Sequence, residues 1–167
     1  HGMAEVPDGQ VVAVESMVAP HLARAVSVGQ SVGFEPLPGQ EAAARQALLG
    51  AHSRYDCWDK QNLPAHWQYG THARVPAIIC QMHEGWDANT REILAKRRPG
   101  ARGSHGYDNA LPSMRSPFIA HGPAFRRHSV IAPIDNVDIY PLLGRLLDIP
   151  LPESDGNPAA TLDAMSD

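Results

Sequence analysis

The spacing of apolar positions predicts a helix in the first third of the chain. Between Gln40 and Ser53 the sequence is rich in alanine and leucine, and apolar residues recur on one helical side, at Ala44, Ala47, Leu48 and Ala51. Proline and glycine residues precede this segment, at Pro36, Pro38 and Gly39, and they separate it from the residues before it. We therefore predict a helix over residues 40–53.

A second helix is predicted near the end of the chain, from Asn136 to Asp148. Its apolar residues fall on one face, at Val137, Tyr140, Leu143 and Leu147. Asp135 can cap its first turn, with Asp138 three residues later in a position resembling a capping box. Pro150 ends it. We expect the tail after Glu153 to be extended or frayed.

Short apolar runs bounded by turn residues predict strands. We expect strands at Val11–Val14, at Val75–Cys80, buried on both faces, and at Ser116–His121. Glycines interrupt the alternating segment Ala25–Phe34, which predicts one bent strand or a hairpin. The mixture of strands and helices indicates an α/β protein.

Composition narrows the class of protein. With 167 residues and 43% hydrophobic residues, the chain is long and apolar enough for a globular core. The net charge of -4 gives no general attraction to nucleic acid, so no nucleic-acid polymer is expected as a partner. No apolar run approaches the roughly 20 residues of a membrane-spanning helix. The two cysteines, Cys57 and Cys80, fit either a disulfide or two buried thiols, and their spacing matches no zinc motif.

Nine histidines are present, and one of them lies in unusual surroundings. His21, His52, His66, His72 and His128 lie among polar neighbours and are interpreted as surface or capping residues, and His83 and His121 are interpreted in the same way. His105 lies between small residues in the segment Gly103–Asn109, where the backbone can approach an ion or a phosphate closely. Neutral imidazole is a good zinc ligand, although glycine, aspartate and asparagine are also ordinary turn residues.

The pattern Gly103-x-His105-Gly106-x-Asp108-Asn109 resembles the late metal-binding motif of the nucleotide pyrophosphatase/phosphodiesterase family, within the alkaline phosphatase superfamily. Further similarity follows in chain order, at Met114, Phe118, Gly122-Pro123-Ala124-Phe125, Asn136 to Tyr140, Leu142, Leu146-Leu147, and the segment Pro150 to Gly156. The beginning of the chain, His1-Gly2-Met3, is similar to the end of the family's Ser-Asp-His-Gly-Met motif, and a tag remnant is the rival interpretation of His1.

The resemblance implies a reaction and a set of ligands. It implies hydrolysis of phosphodiester or pyrophosphate bonds with two zinc ions and a threonine nucleophile that forms a covalent intermediate. His105 would help to hold one zinc ion and His1 the other. None of Thr71, Thr90 and Thr161 lies in the family's nucleophile motif. We therefore expect the nucleophile and the remaining ligands upstream, in an intact parent protein, and no activity from this chain alone.

The resemblance also implies an architecture and a location. Residues 1–167 would form the C-terminal portion of an alkaline-phosphatase-like layered fold, with residues 11–69 as a small α+β insertion. The partners would be a nucleotide, or another phosphodiester such as a choline phospholipid, and the upstream part of the same protein. The family is typically exported to the periplasm or the extracellular space.

Two other interpretations stay open at this level. The missing nucleophile favours a non-catalytic α+β binding or interaction module. A sulfatase or phosphomutase of the same superfamily would also carry a histidine-bearing metal loop late in the chain. The downstream Gly122-Pro123 and Asn136-Val137 elements favour the pyrophosphatase branch.

Overall fold

The computed structural model describes residues 1–166. These residues divide into two compact units, residues 1–117 and the described residues from 118 onward, a boundary that the sequence pattern did not indicate. In the described residues, no helix is long and apolar enough to cross a membrane.

The first unit is organised around a five-stranded antiparallel sheet with the order β3-β4-β7-β6-β5. The strands are β3 (Ala23–Ala25), β4 (Ser31–Pro36), β5 (Gly50–Ala51), β6 (Tyr55–Asp59) and β7 (Ile78–Met82). The alternating segment at residues 25–34, which predicted a bent strand or a hairpin, contains the last residue of β3, the turn and the first part of β4, and β3 and β4 form an antiparallel pair. The buried run that predicted a strand at Val75–Cys80 forms the central strand β7, shifted toward its C-terminal end.

Part of the core of this unit lies between the sheet and the helix α2 (Glu41–Leu48), which packs against β6 and β7. Ala44 and Leu48 of the helix are buried, as are Phe34 of β4 and Ile78 of β7. Burial of apolar side chains of this size typically stabilises by about 1.5–3 kcal/mol each, which explains why the alanine- and leucine-rich face of α2 faces the sheet.

Two further strand pairs complete the first unit. The pair β1 (Ala4–Val6) and β9 (Arg102–Ser104) is antiparallel. The pair β2 (Val11–Ala13) and β8 (Asp87–Asn89) is parallel. Short helices follow β2 and β8, namely α1 (Val14–Met17) and α3 (Arg91–Ala95). The strand predicted at Val11–Val14 is confirmed apart from its last residue.

The second unit contains the predicted terminal helix. A 3-10 turn, Asn136–Asp138, leads into α4 (Ile139–Leu147), and Asp148 ends the helix in the left-handed conformation, with φ of 52°. The Asp138 carboxylate accepts hydrogen bonds from the backbone N–H groups of Asp135 (2.9 Å) and Asn157 (2.7 Å). The predicted cap is therefore present, and it also ties the later chain to the start of the helix.

Three predictions of secondary structure were wrong. The first helix ends at Leu48 rather than at Ser53, because Leu49 is extended and Gly50, with φ of 105°, enters strand β5. The second concerns residues 116–121, which form no strand: Pro117 has no N–H to donate, and Ile119 is 87% exposed. The third is the tail after Glu153, where a 3-10 turn forms at Leu162–Ala164 and Phe125 bridges to Met165.

The predicted apolar face of the terminal helix is largely exposed. Leu142 is buried within the second unit, whereas Val137, Tyr140, Leu143 and Leu147 are between 42% and 65% exposed. The buried side of α4 is thus a different one from the face that the sequence periodicity outlined.

Residues 11–69 do not build a sheet of their own. They contribute β2 to β6, but β7, from outside this segment, lies between β4 and β6. The idea that residues 11–69 are an insertion into a larger fold stays a prediction.

Candidate metal centre

The antiparallel pair β1–β9 brings together two histidines that are distant in the chain. Its register pairs Ala4 with Ser104 and Val6 with Arg102, so the chain before Ala4 runs beside the chain after Ser104. His1 and His105 meet just beyond this end of the ladder, with ring centroids 4.2 Å apart and planes inclined by 55°. Both side chains are exposed. Each predicted zinc ligand therefore lies beside the other.

The hydrogen bond that His1 makes leaves one ring nitrogen available to a ligand. Its Nδ1 lies 2.9 Å from the carbonyl oxygen of Gly2, which can only accept. Nδ1 therefore carries the proton in the neutral ring, and Nε2 carries the free lone pair. An outer hydrogen bond of this kind is how many metal-binding histidines are oriented.

Two glycines allow the backbone segments to approach each other at this site. A Cβ atom on Gly2 would overlap the backbone of Ser113 and Met114, in the 3-10 turn Pro112–Met114. A Cβ atom on Gly103 would overlap the sulfur of Met3, a side chain that is 55% exposed and free to move. The overlap at Gly2 is with backbone atoms, which cannot move without shifting the 3-10 turn. The overlap at Gly103 is with the end of a flexible side chain.

We predict that Gly2→Ala separates His1 from His105, because its new methyl group must push the first residues away from Met114. The cost should be about 1–3 kcal/mol, as for other overpacked sites. Loss of the nuclear Overhauser contact between the two imidazole rings and a lower melting temperature would report it. Gly103→Ala is the matched control, since Met3 can move aside. Equal effects of the two substitutions would contradict the prediction.

The loop that carries His105 is held by residues on either side of it. The amide of Gln81 donates to the carbonyl oxygens of Gly106 (3.1 Å) and Gln30 (2.9 Å). The hydroxyl of Tyr107 donates to the carbonyl oxygen of Trp86 at 3.0 Å, and Tyr107 is 5% exposed. The two residues after His105 are therefore hydrogen-bonded to the end of β7, through Gln81, and to the turn that follows β7, through Trp86.

Asp108 supplies a third attachment. Its Oδ1 accepts from the backbone N–H of Ala110 at 2.8 Å and lies 2.9 Å from Nε2 of His66, and its Oδ2 lies 3.2 Å from the same nitrogen. Burial by itself would raise the pKa of Asp108, but the hydrogen bonds from Ala110, His66 and Trp67 together outweigh it and lower the pKa below its usual value. Asp108 is therefore a carboxylate at neutral pH, and Nε2 of His66 donates to it.

The three threonines, none of which lies in the family's nucleophile motif, differ in their surroundings. The hydroxyl of Thr90 accepts from the backbone N–H of Ile93 and caps α3, Thr161 is buried in the second unit, and Thr71 is exposed.

Within residues 1–166, no group of three or more histidine, cysteine, aspartate or glutamate side chains is arranged to hold a metal ion. His1 and His105 offer two imidazoles, which fits part of a metal site.

The sequence interpretation did not find the residues that hold the loop. His66 and Asp108 are 42 positions apart, and Gln81 and Gly106 are 25 apart. Nothing in the local pattern around His66 or Gln81 signals a long-range contact. Only the pairing of strands and turns brings them together.

Cys57 and Cys80 form a disulfide between the neighbouring strands β6 and β7. The two residues are direct partners in the ladder, with Cα atoms 4.0 Å apart, and they are 2% and 0% exposed. Of the two alternatives that the sequence left open, the structure shows the disulfide.

Solved structures share this fold. Human ectonucleotide pyrophosphatase/phosphodiesterase 5 superposes on the whole chain with a TM-score of 0.89 at 28% identity, and the match covers 44% of that structure. An inactive variant of the murine protein, in complex with AMP, superposes on 99% of the chain with a TM-score of 0.87 at 27% identity, over 43% of its own length. The chain therefore contains part of an alkaline-phosphatase-like α/β fold, as the sequence predicted.

The sequence identifies the family more narrowly. Residues 1–108 match the sequence profile described as type I phosphodiesterase / nucleotide pyrophosphatase. Human ectonucleotide pyrophosphatase/phosphodiesterase family member 5 is 30% identical over 149 residues, which are 89% of this chain and 30% of that protein. The bis(5'-adenosyl)-triphosphatase enpp4 of Xenopus laevis is 28% identical over 149 residues, which are 89% of this chain and 32% of that protein.

The chain belongs to the type I phosphodiesterase / nucleotide pyrophosphatase family, a family of hydrolases. It spans about a third of the length of these two curated relatives. The family predicted from the loop at His105 is thus confirmed.

Proposed function

We propose that this chain is one part of a zinc-dependent hydrolase that cleaves pyrophosphate or phosphodiester bonds in nucleotides. The observation that carries the proposal is the contact between His1 and His105, whose ring centroids are 4.2 Å apart in a member of this family. Two metal ions in a shared site typically lie about 3.5–4 Å apart, so two neighbouring imidazoles on one edge suit two neighbouring ions.

In this proposal each histidine contributes one nitrogen to a different zinc ion. His1 would use Nε2, because its Nδ1 is engaged with the carbonyl oxygen of Gly2. Bound zinc would supply Lewis-acid stabilisation of charge on the phosphate oxygens and would activate the nucleophile. The β1–β9 ladder and the hydrogen bonds of Gly106, Tyr107 and Asp108 hold the backbone that carries the two imidazoles, which would limit the reorganisation needed when substrate binds.

Catalytic zinc sites normally have three protein ligands and one open position. The chain offers one histidine to each ion, so the other ligands and the threonine nucleophile would come from the upstream part of the parent protein. A substrate that contains adenosine is favoured, because one relative is named a bis(5'-adenosyl)-triphosphatase and one solved neighbour holds AMP. A choline phospholipid is the competing substrate class.

The disulfide supports an exported parent protein. Disulfides persist in oxidising compartments and are rare in the cytosol, and Cys57–Cys80 is buried within the main sheet. The periplasm or the extracellular space is therefore the proposed location.

The parent protein is expected to hydrolyse bis(5'-adenosyl) triphosphate with release of AMP, and to lose this activity when a chelator removes zinc. The isolated chain of 167 residues is expected to show neither activity nor tight zinc binding, because it lacks the nucleophile and most ligands. Chromatography of the nucleotide products and metal analysis of both proteins test this. Turnover by the isolated chain, or hydrolysis of glycerophosphocholine alone by the parent, would contradict the proposal.

A further inference from the structure

The His66–Asp108 contact joins the loop of His105 to the five-stranded sheet. Nε2 of His66 lies within hydrogen-bond distance of both carboxylate oxygens of Asp108, at 2.9 Å and 3.2 Å. Asp108 follows His105 by three residues and also accepts from the backbone N–H of Ala110. One carboxylate therefore fixes the path of the backbone on the C-terminal side of His105.

The segment that carries His66 is itself anchored. His66 lies in a 3-10 turn, Ala65–Trp67, which Gln68 ends in the left-handed conformation, with φ of 47°. The indole ring of Trp67 packs edge-on against that of Trp58 in β6, with ring centroids 5.2 Å apart and planes inclined by 81°. Aromatic pairs with this geometry are favourable. The ring of His66 is thus presented to Asp108 from a turn that packs on the central sheet.

We infer that His66 is a positioning residue for His105. By holding Asp108 it sets the orientation of the loop, and through the loop it sets the direction of the His105 ring relative to His1. The consequence for zinc rests on the proposed function, whereas the effect on the loop does not.

A structural role alone would have a different signature. His66 and Asp108 have side chains that are 49% and 31% exposed, and a side-chain pair this exposed contributes about 0–1 kcal/mol to stability. Loss of His66 should therefore leave the melting temperature nearly unchanged. The loss of His66 should instead shorten the time for which His105 retains zinc, because zinc binding depends on the direction of the His105 ring.

The chain offers a matched control. His83 pairs with Asp56 through Nε2 at 3.1 Å, and these side chains are 42% and 36% exposed. This pair has the same chemistry and similar exposure, but its carboxylate lies on β6 rather than in the loop of His105. His83→Ala therefore removes an equivalent histidine–carboxylate hydrogen bond without removing a contact of Asp108.

The experiment compares His66→Ala, His66→Arg and His83→Ala in the parent protein. Three quantities are measured: hydrogen exchange at residues 103–110 in the metal-free protein, the half-time of zinc release to a chelator, and kcat with KM. We expect His66→Ala to speed exchange at Ala110 several-fold and to shorten zinc retention by about three- to tenfold. This change is at or below the roughly 10–100-fold loss of metal affinity that follows when a group hydrogen-bonded directly to a metal ligand is removed. The rate kcat should fall with KM little changed.

His66→Arg should restore most of the retention, since a guanidinium can donate to both oxygens of Asp108. His83→Ala should resemble the unchanged protein in all three measurements. The inference is overturned if His66→Ala and His83→Ala exchange at the same rate over residues 103–110. It is also overturned if zinc release in His66→Ala quickens only in step with a lower melting temperature and arginine does not restore it.

Hydrogen exchange separates this inference from the proposed function. A parent protein that binds no zinc or cleaves no nucleotide would refute the proposed function. In that case faster exchange at Ala110 in His66→Ala, with no change in His83→Ala, would still support the role of His66 in holding the loop, and unchanged exchange would refute it.

Discussion

Replacing His105 by alanine in the parent protein is expected to remove one of two zinc ions and to slow hydrolysis on the order of 10³-fold. A catalytic zinc site with three protein ligands loses a third of them in this variant. Lewis-acid stabilisation of the transition state is worth several kcal/mol, and each 1.36 kcal/mol corresponds to a tenfold change in rate. Metal analysis after dialysis and steady-state kinetics measure the two effects together.

His1→Ala should remove the other zinc ion, because His1 is the proposed ligand of that ion. The two rings lie side by side, so this result would also show that neighbouring histidines serve different ions. The matched control is His72→Ala, at an exposed histidine whose Nδ1 accepts from the backbone N–H of Arg74 at 3.1 Å. It should retain both ions and the full rate. Unchanged zinc content in His105→Ala would exclude His105 from the site.

Removing the disulfide is expected to have the largest effect on stability. In the double variant Cys57→Ala/Cys80→Ala the free energy of unfolding of the first unit should fall by about 3 kcal/mol. This is the value that the chain-entropy model gives for a loop of this size, and the two cysteines are 23 positions apart. The melting temperature should drop by roughly 10 °C or more. Thermal and urea unfolding, followed by the fluorescence of the three tryptophans of this unit, measure the change.

Reduction of the unaltered protein controls for the two sulfur atoms that the alanines remove. Because Cys57 and Cys80 are 2% and 0% exposed, a reductant should act slowly on the folded protein and rapidly in urea. The reduced protein should then unfold at a temperature close to that of the double variant. Rapid reduction under native conditions, or an unchanged melting temperature in the double variant, would contradict this prediction.

Local features of the sequence were sufficient for much of the fold. Asp135 and Asp138 predicted the start of the terminal helix, because capping depends on residues within one turn of each other. The alternating segment at residues 25–34 predicted either one bent strand or a hairpin, and the hairpin β3–β4 is the alternative that forms, since neighbouring strands joined by a short turn pair locally. The end of the first helix was misplaced because the pairing of Gly50 with Cys57 competes with helical propensity there.

The sequence by itself also determined the family. The motif around His105 combines glycines, which let the backbone approach closely, with an imidazole, and the order of further motifs made the resemblance specific. Residues 1–108 match the family, which includes both His1 and His105. The assignment of these histidines to zinc remains a proposal.

Only the tertiary structure decided which distant residues meet. The register of β1 against β9 places His1 beside His105, and the pairing of β6 with β7 places Cys57 beside Cys80. The anchored turn at His66 reaches Asp108 across 42 positions. Such contacts depend on how strands align and how turns pack, and the energy of those alignments is spread over the whole sheet. The residues near one position in the sequence are therefore not sufficient to predict these contacts.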